Sequence, residues 1–395
     1  MPMTDQQHPD TLLAHEGRPA ASAGAPVNPP LVRASTLLFA DVAEMQASHG
    51  SRHSYGRHSN PPGLALEQAL CSLEGAAGCR LTPSGLSAIT TTLLALLRPG
   101  DHLLMTDSAY EPTRSFCHGL LAQLGISTTF YDPLLGAGIE TLVQPNTRLI
   151  FAESPGSLTF EVQDIPALSA VAKRHGLYLV ADNTWATPLG WRPFELGIDV
   201  SIHAATKYIV GHSDVMLGAI LCNERTRPAI ERCWRGLGLA VSSDDAYLGL
   251  RGLRTLGVRL SQHAQSALQI AQWLSAQPQV AQVLYPPLPG SPGHELWQRD
   301  YDTSRACGLL GVLLPEGCSE AAMHRVVDAC RLFGRGYSWG GFESLIIPVS
   351  PAAQRSVTAS RWQGRHLLRL HEGLEDPRDL MADLQQALAQ LKDAP

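Results

Sequence analysis

The stretch TRLIFAESPGSLTFEVQDIPALSAVAKRHGLYLVADN, residues 147–183, holds two short apolar runs with a helical pattern between them. TRLIFAES and GLYLVADN are apolar without polar alternation, as strands buried on both faces are. Between them the spacing over Ala167–Gly176 is helical and closes on a glycine stop. Strand, helix, strand in that order predicts an α/β sheet, mostly parallel.

Working outward, the same grammar continues. DHLLMTD and ISTTFYD lie upstream, VSIHAA and VMLGAILC downstream. The last two are closely spaced, which predicts a hairpin-like or mixed segment near 200–222. Past about Arg254 the pattern changes. A long helical run, VRLSQHAQSALQIAQWLSAQ, leads into VAQVLYPP, the expected strands GLLGVLLP, SLIIPVS and HLLRLHEG, and a final helix DPRDLMADLQQALAQL. At 395 residues the chain is long for one core. We therefore expect a large domain over 61–255 and a smaller α+β domain over 256–395. Residues 1–60 are rich in Pro, Ala, Ser, Gly and His with little periodicity, and read as an arm that must pack against something else.

Composition narrows the function. Apolar residues make up 44%, and no apolar run reaches membrane-spanning length. The first thirty residues lack a basic start followed by an apolar core, so no secretory signal is expected. A net charge of −6 argues against gripping nucleic acid or an anionic membrane. The eight cysteines are scattered with no CxxC, which predicts neither a metal site nor a disulfide framework and fits a reducing cytoplasm.

Four features carry chemistry. In PSGLSAITTTLLALL, Ser84 and Gly85 open a helix, whose free amides and dipole suit a phosphate; an ordinary capped helix looks the same. Asp182 ends a buried strand, at the edge where open α/β sheets bind ligands. There it could pair with a protonated ring nitrogen or merely cap a turn. Lys207, in SIHAATKYIVGHSD, follows the next strand and could be a solvated charge or an amine whose pKa a dry pocket lowers. Thr206 beside it offers a hydroxyl, and Tyr110, in DSAYEP, could stack on a planar ring. No GxGxxG follows a strand and no GxxxxGK[ST] occurs. Phosphate cradle, ring-nitrogen acid, aromatic lid and lysine, in this order, describe a pyridoxal 5′-phosphate site.

At these residues the chain resembles the cysteine/methionine-metabolism family of fold-type-I pyridoxal-phosphate enzymes. The resemblance covers nearly the whole length and rests on YGRHSNPPGLALE, PSGLSA, LMTDSAYEPTRSFC, FAESPGSLTFEVQDIPAL, VADNTW, DVSIHAATKYIVGHSD, RGLRTLGVRL, YSWGGFESL and RLHEGLED. It implies a large domain with a mostly parallel sheet of the seven-stranded type. It makes Lys207 the lysine that binds the cofactor covalently and Asp182 the partner of the ring nitrogen. Tyr110 would stack on the ring and act in catalysis. Gly85 and Leu86 would give amides to the phosphate, with the Thr206 hydroxyl. Tyr55 and Arg57 would reach that phosphate from the neighbouring subunit of a homotetramer, a dimer of active dimers. Arg369 would hold the substrate carboxylate bidentately, and Ser338 and Trp339 would line the substrate side. Leu86 stands where many relatives have methionine, Ala204 where many have serine, and ESPGS replaces ESPxN.

AYEPT and YSWGG resemble the β-eliminating branch, which acts on the thioether cystathionine to give homocysteine, pyruvate and ammonia. A γ-lyase or γ-synthase is the alternative, with Trp339 the discriminating position. A cofactor-bound regulatory protein would show a lost base or clamp, yet Lys207 and Arg369 are both present. His203, His212 and Asp214 lack zinc spacing and are read as structural. The arginines of RGLRTLGVR are expected to make salt links between domains or subunits, and Cys117 to pack.

Overall fold

The computed structural model describes residues 7–52 and 54–393. A seven-stranded sheet comprises β1 (Gly78–Thr82), β2 (His102–Thr106), β3 (Ser127–Tyr131), β4 (Thr147–Glu153), β5 (Tyr178–Asp182), β6 (Val200–His203) and β7 (Gly218–Cys222), in the order β1-β7-β6-β5-β4-β2-β3. β7 runs antiparallel to both its neighbours, and every other pair is parallel. The mixed segment expected near 200–222 is the β6–β7 pair. Alternate residues of the central strands feed two cores. Ile150, Ala152, Leu179 and Ala181 enter one, while Leu149, Phe151, Val180, Val200 and Ile202 enter the other. Burial on both faces is why these runs lack polar alternation.

β1 is absent from the apolar runs singled out above, because Arg80 interrupts it. That arginine is nonetheless buried, its guanidinium paired with Glu231 and 4.8 Å over the Trp234 ring. A neutralised cation can sit inside a strand where an unpaired one cannot.

The second sheet holds β8 (Gln282–Leu284), β9 (Leu309–Leu313), β10 (Gly334–Arg335), β11 (Leu345–Val349) and β12 (Leu367–His371), in the order β10-β11-β12-β9-β8. The helices Leu256–Ser275 and Glu320–Ala329 pack on it, and Pro377–Leu388 packs against both of them. The helix expected around Ala167 spans Ile165–His175 and ends at Gly176, whose φ of 65° a residue without Cβ adopts freely.

Part of the arm packs on its own chain. The helix Pro9–His15 buries Leu13, 2% exposed, and Asp10 pairs with Arg305 at 2.8 Å. Arg254 donates to the carbonyls of Leu13 and Glu16 at 2.6 and 2.7 Å, and Arg259 to that of Gly252 at 2.7 Å. Within this chain Arg254 and Arg259 thus satisfy helix-end carbonyls. Further along, Val27, Leu31, Leu38, Val42 and Met45 are exposed, Leu38 by 93%.

Candidate active site

The parallel strands end together, and the chemistry-bearing residues lie at those carboxyl ends. β5 ends on Asp182, β4 on Glu153, and β6 leads through Ala204 into Lys207; Tyr110 follows β2 by four residues. From the second sheet, β12 contributes Arg369, and the loop between β10 and β11 contributes Ser338 and Trp339.

Lys207 Nζ donates to Ser338 Oγ at 2.6 Å and lies 5.3 Å from the centre of the Trp339 ring. Burial, and then the Arg369 charge, lower its pKa to about 8, with Asp182 acting against them. Arg369 Nη2 donates to the Ser338 carbonyl at 2.8 Å, while its buried Nε has no partner. Burial brings this guanidinium down to about 10. Ser338 adopts φ 78°, a left-handed conformation that costs a serine roughly 1–3 kcal/mol. Gly340 follows it against the Lys207 backbone, where a Cβ would lie 2.9 Å from the Lys207 carbonyl carbon.

Asp182 accepts from the Thr184 amide at 2.9 Å and its hydroxyl at 2.5 Å. Thr184 Oγ1 in turn accepts from the Ala204 amide at 2.8 Å, tying the end of β5 to the lysine loop. Burial raises the Asp182 carboxyl, opposed by the Thr184 bonds, His203 and Lys207. His203 bonds Glu74, which also accepts from Asn183 Nδ2 at 2.9 Å. The His203 bond ties β6 to the helix Pro61–Glu74. His212 Nδ1 bonds the Val210 carbonyl at 2.7 Å, and no metal-binding cluster occurs among the described residues.

Ser84 caps the helix Gly85–Leu96 by accepting from Ser87 N–H, which leaves the first-turn amides of Gly85 and Leu86 without intrahelical acceptors. A Cβ on Gly85 would meet Ala204 Cβ at 2.5 Å, so the helix start and the lysine loop approach closely because both residues are small. The Thr206 hydroxyl accepts from Leu217 N–H at 2.8 Å and donates to the Leu217 carbonyl at 3.1 Å. Tyr110 is 47% exposed. Tyr55 and Arg57 contact each other, His58 and the neighbourhood of Gly238, not the lysine cluster of their own chain. Cys117 is buried, which pushes its thiol up to about 12.

Two residues at the site were given no role in the sequence reading. Glu153 pairs with Asp182 across the ladder and accepts the Tyr110 amide at 2.8 Å. His371 accepts the Gly340 amide on Nε2 and bonds the Glu343 carbonyl through Nδ1, both at 3.0 Å, pinning the loop that carries Ser338. It lies two residues after Arg369 on β12, so strand periodicity alone places both on one face.

These residues fit pyridoxal phosphate. The amine has a lowered pKa, the buried Asp182 carboxylate makes no ion pair among the described residues, and the guanidinium keeps an unpartnered Nε. Fold and site together define a pyridoxal-phosphate-dependent enzyme of fold type I.

Comparison with known proteins makes the assignment narrower. The model of the Cys/Met metabolism PLP-dependent enzyme family matches residues 10–389, and the chain belongs to that family. It is 46% identical to a cystathionine beta-lyase of Bordetella avium, over 98% of each chain. It is 44% identical to cystathionine beta-lyase MetC of Escherichia coli, over 97% of this chain and 98% of that one. The crystal structure of metB from Corynebacterium glutamicum superimposes with a TM-score of 0.89 at 32% identity, covering 98% of this chain and 99% of that one.

Proposed function

We propose that this enzyme cleaves cystathionine by β-elimination, releasing homocysteine, pyruvate and ammonia, with cysteine and cystine as further substrates. The observation that carries the reading is the Lys207 amine, buried between Asp182 and Arg369 with a pKa lowered to about 8. Such an amine holds a far larger neutral fraction near physiological pH than an ordinary lysine and can act as a general base.

When bound, pyridoxal phosphate supplies an electron-accepting ring that makes the Cα proton of an amino acid removable. Lys207 would hold it, with Asp182 at the ring nitrogen, the Gly85 and Leu86 amides and the Thr206 hydroxyl at the phosphate, and Tyr110 against the ring. The Thr206 hydroxyl would have to turn from the Leu217 carbonyl to do so. Arg369, already anchored through Nη2, offers its remaining donors to the substrate α-carboxylate. That orients Cα toward Lys207 Nζ, which takes the proton. Trp339 and Ser338 shape the substrate side and shield the amine from water, which keeps its pKa low.

Tyr55 and Arg57 would complete the phosphate site of a neighbouring subunit, and the exposed apolar residues of the arm support that placement. On this reading the arm ends near residue 60 and the large domain near 255, and the assembly is a homotetramer of two active dimers. Its eight cysteines are free, as suits the cytoplasm. No helix among the described residues is long and apolar enough to cross a membrane.

The test is the keto acid released from L-cystathionine by the purified holoenzyme. Pyruvate with homocysteine supports β-elimination; 2-oxobutyrate with cysteine transfers the enzyme to the γ-eliminating branch and sinks the reading.

A further inference from the structure

The carboxyl ends of β4 and β5 bring a second carboxyl to the site, and the reaction just described gives it nothing to do. Glu153 and Asp182 are partners in the parallel ladder, so their side chains leave the sheet on the same face. Tyr110 opens the helix Glu111–Phe116, and no side chain of its own caps that helix. Its carbonyl is engaged by the amides of Thr113 and Arg114, and its amide reaches across to Glu153 Oε2 at 2.8 Å. That bond ties the backbone of Tyr110 to the sheet.

The two carboxyls differ in what surrounds them. Asp182 receives two donors from Thr184, and the neighbouring Lys207 amine also favours its ionised form. Glu153 receives one donor, from Tyr110. The titratable and charged groups facing it are Asp182 on β5 and, from other elements, Arg355, Glu161 and the Tyr110 phenol. Arg355 spends its Nη2 on the Ser157 carbonyl at 2.6 Å and the Thr159 hydroxyl at 2.7 Å. Adjacent carboxyls in one pocket do not both ionise readily near neutrality; they share a proton, and the member that accepts more hydrogen bonds takes the charge. Here that member is Asp182. Burial, and then the Asp182 charge, raise the Glu153 carboxyl well above its usual range, in agreement with the geometry.

We propose that Glu153 is a positioning residue: its protonated carboxyl holds the Tyr110 backbone at the sheet edge and leaves Asp182 as the one ionised carboxylate of the pair. The proposal rests on the reading that Tyr110 and Asp182 serve the cofactor. A neutral amide in place of the carboxyl preserves the tether; a methyl group does not.

The experiment compares wild-type, Glu153→Gln and Glu153→Ala holoenzymes, each checked for cofactor content and thermal midpoint. Infrared difference spectra between neutral and alkaline pH should show a protonated-carboxyl band, shifted in D₂O, in the wild type that is missing from Glu153→Gln, above the contribution common to both from the Glu67, Glu161 and Glu372 carboxyls, which burial also raises. At neutral pH Glu153→Gln should keep kcat/KM within about threefold, while Glu153→Ala loses about tenfold or more, the scale of one lost tether to a charge-bearing site. At alkaline pH the wild type should lose activity along a limb that Glu153→Gln lacks. Equal damage by Gln and Ala would show that an ionised Glu153 is needed and overturn the proposal. So would an undamaged Ala variant, or a wild type without the band. Failure of the β-elimination reading looks different: other products from cystathionine, with the band and the Gln-to-Ala contrast unchanged.

Discussion

The lysine side of the site and the arm make an instructive contrast. Around Lys207 each polar group is placed by buried structure: Ser338 on the amine, Thr184 between Asp182 and Ala204, and His371 under Gly340. Around Tyr55 and Arg57 the contacts are with each other and with nearby surface, and Tyr55 is 43% exposed. The lysine cluster is organised by its own chain; Tyr55 and Arg57 make no contact with it among the described residues. Preorganisation of the first half is what lowers the amine's pKa, since desolvation requires walls that stay in place.

The largest expected effect tests the organised half. Lys207→Ala should abolish turnover, a loss of roughly a thousandfold or more, together with the absorbance of covalently held cofactor. A variant retaining both ends the assignment. Arg369→Lys keeps the charge and loses the planar fork. It should lower kcat/KM by about a hundredfold, mostly through KM, as measured by steady-state kinetics on cystathionine. An unchanged KM would remove Arg369 from the substrate carboxylate.

The displayed half should respond more mildly. Arg57→Ala should weaken cofactor binding about tenfold, read by equilibrium dialysis. Mixing it with Lys207→Ala protein under subunit exchange should restore a fraction of wild-type sites, because each defect lies on a different chain of one site. No restoration would place Arg57 in its own chain's site. The smallest effect is a pH dependence. Only the neutral amine attacks a carbonyl, so the rate of cofactor uptake by apoenzyme should rise with pH and level off above about 8. An ordinary lysine, with a pKa near ~10.4, would keep gaining beyond that.

Much of the architecture was legible because the central strands are buried on both faces and show it as unbroken apolar runs. β1 was not, since Arg80 breaks the run and its compensation by Glu231 lies 151 residues away. β10 has two residues and no periodicity to read. Within the site, Lys207, Asp182, Ser338, Trp339 and Arg369 were named from motifs, and the fold brings these five to one place. Glu153 and His371 lay inside quoted motifs yet received no role. Their meaning depends on ladder register and on a loop amide, and a linear pattern encodes neither. The hydrogen bond that occupies Thr206 was likewise invisible, since its partner Leu217 is reached only through the closure of the lysine loop.

The bond from Lys207 to Ser338 spans 131 positions of sequence, and Arg369 comes later still. During synthesis the lysine therefore leaves the ribosome well before the serine and arginine that complete its surroundings. A nascent chain lacking its last strands carries an ordinary hydrated lysine, with neither the depressed pKa nor a clamp for a carboxylate. Competence is thus a property of the finished polypeptide, and a truncated product, however well its first sheet folds, is chemically silent.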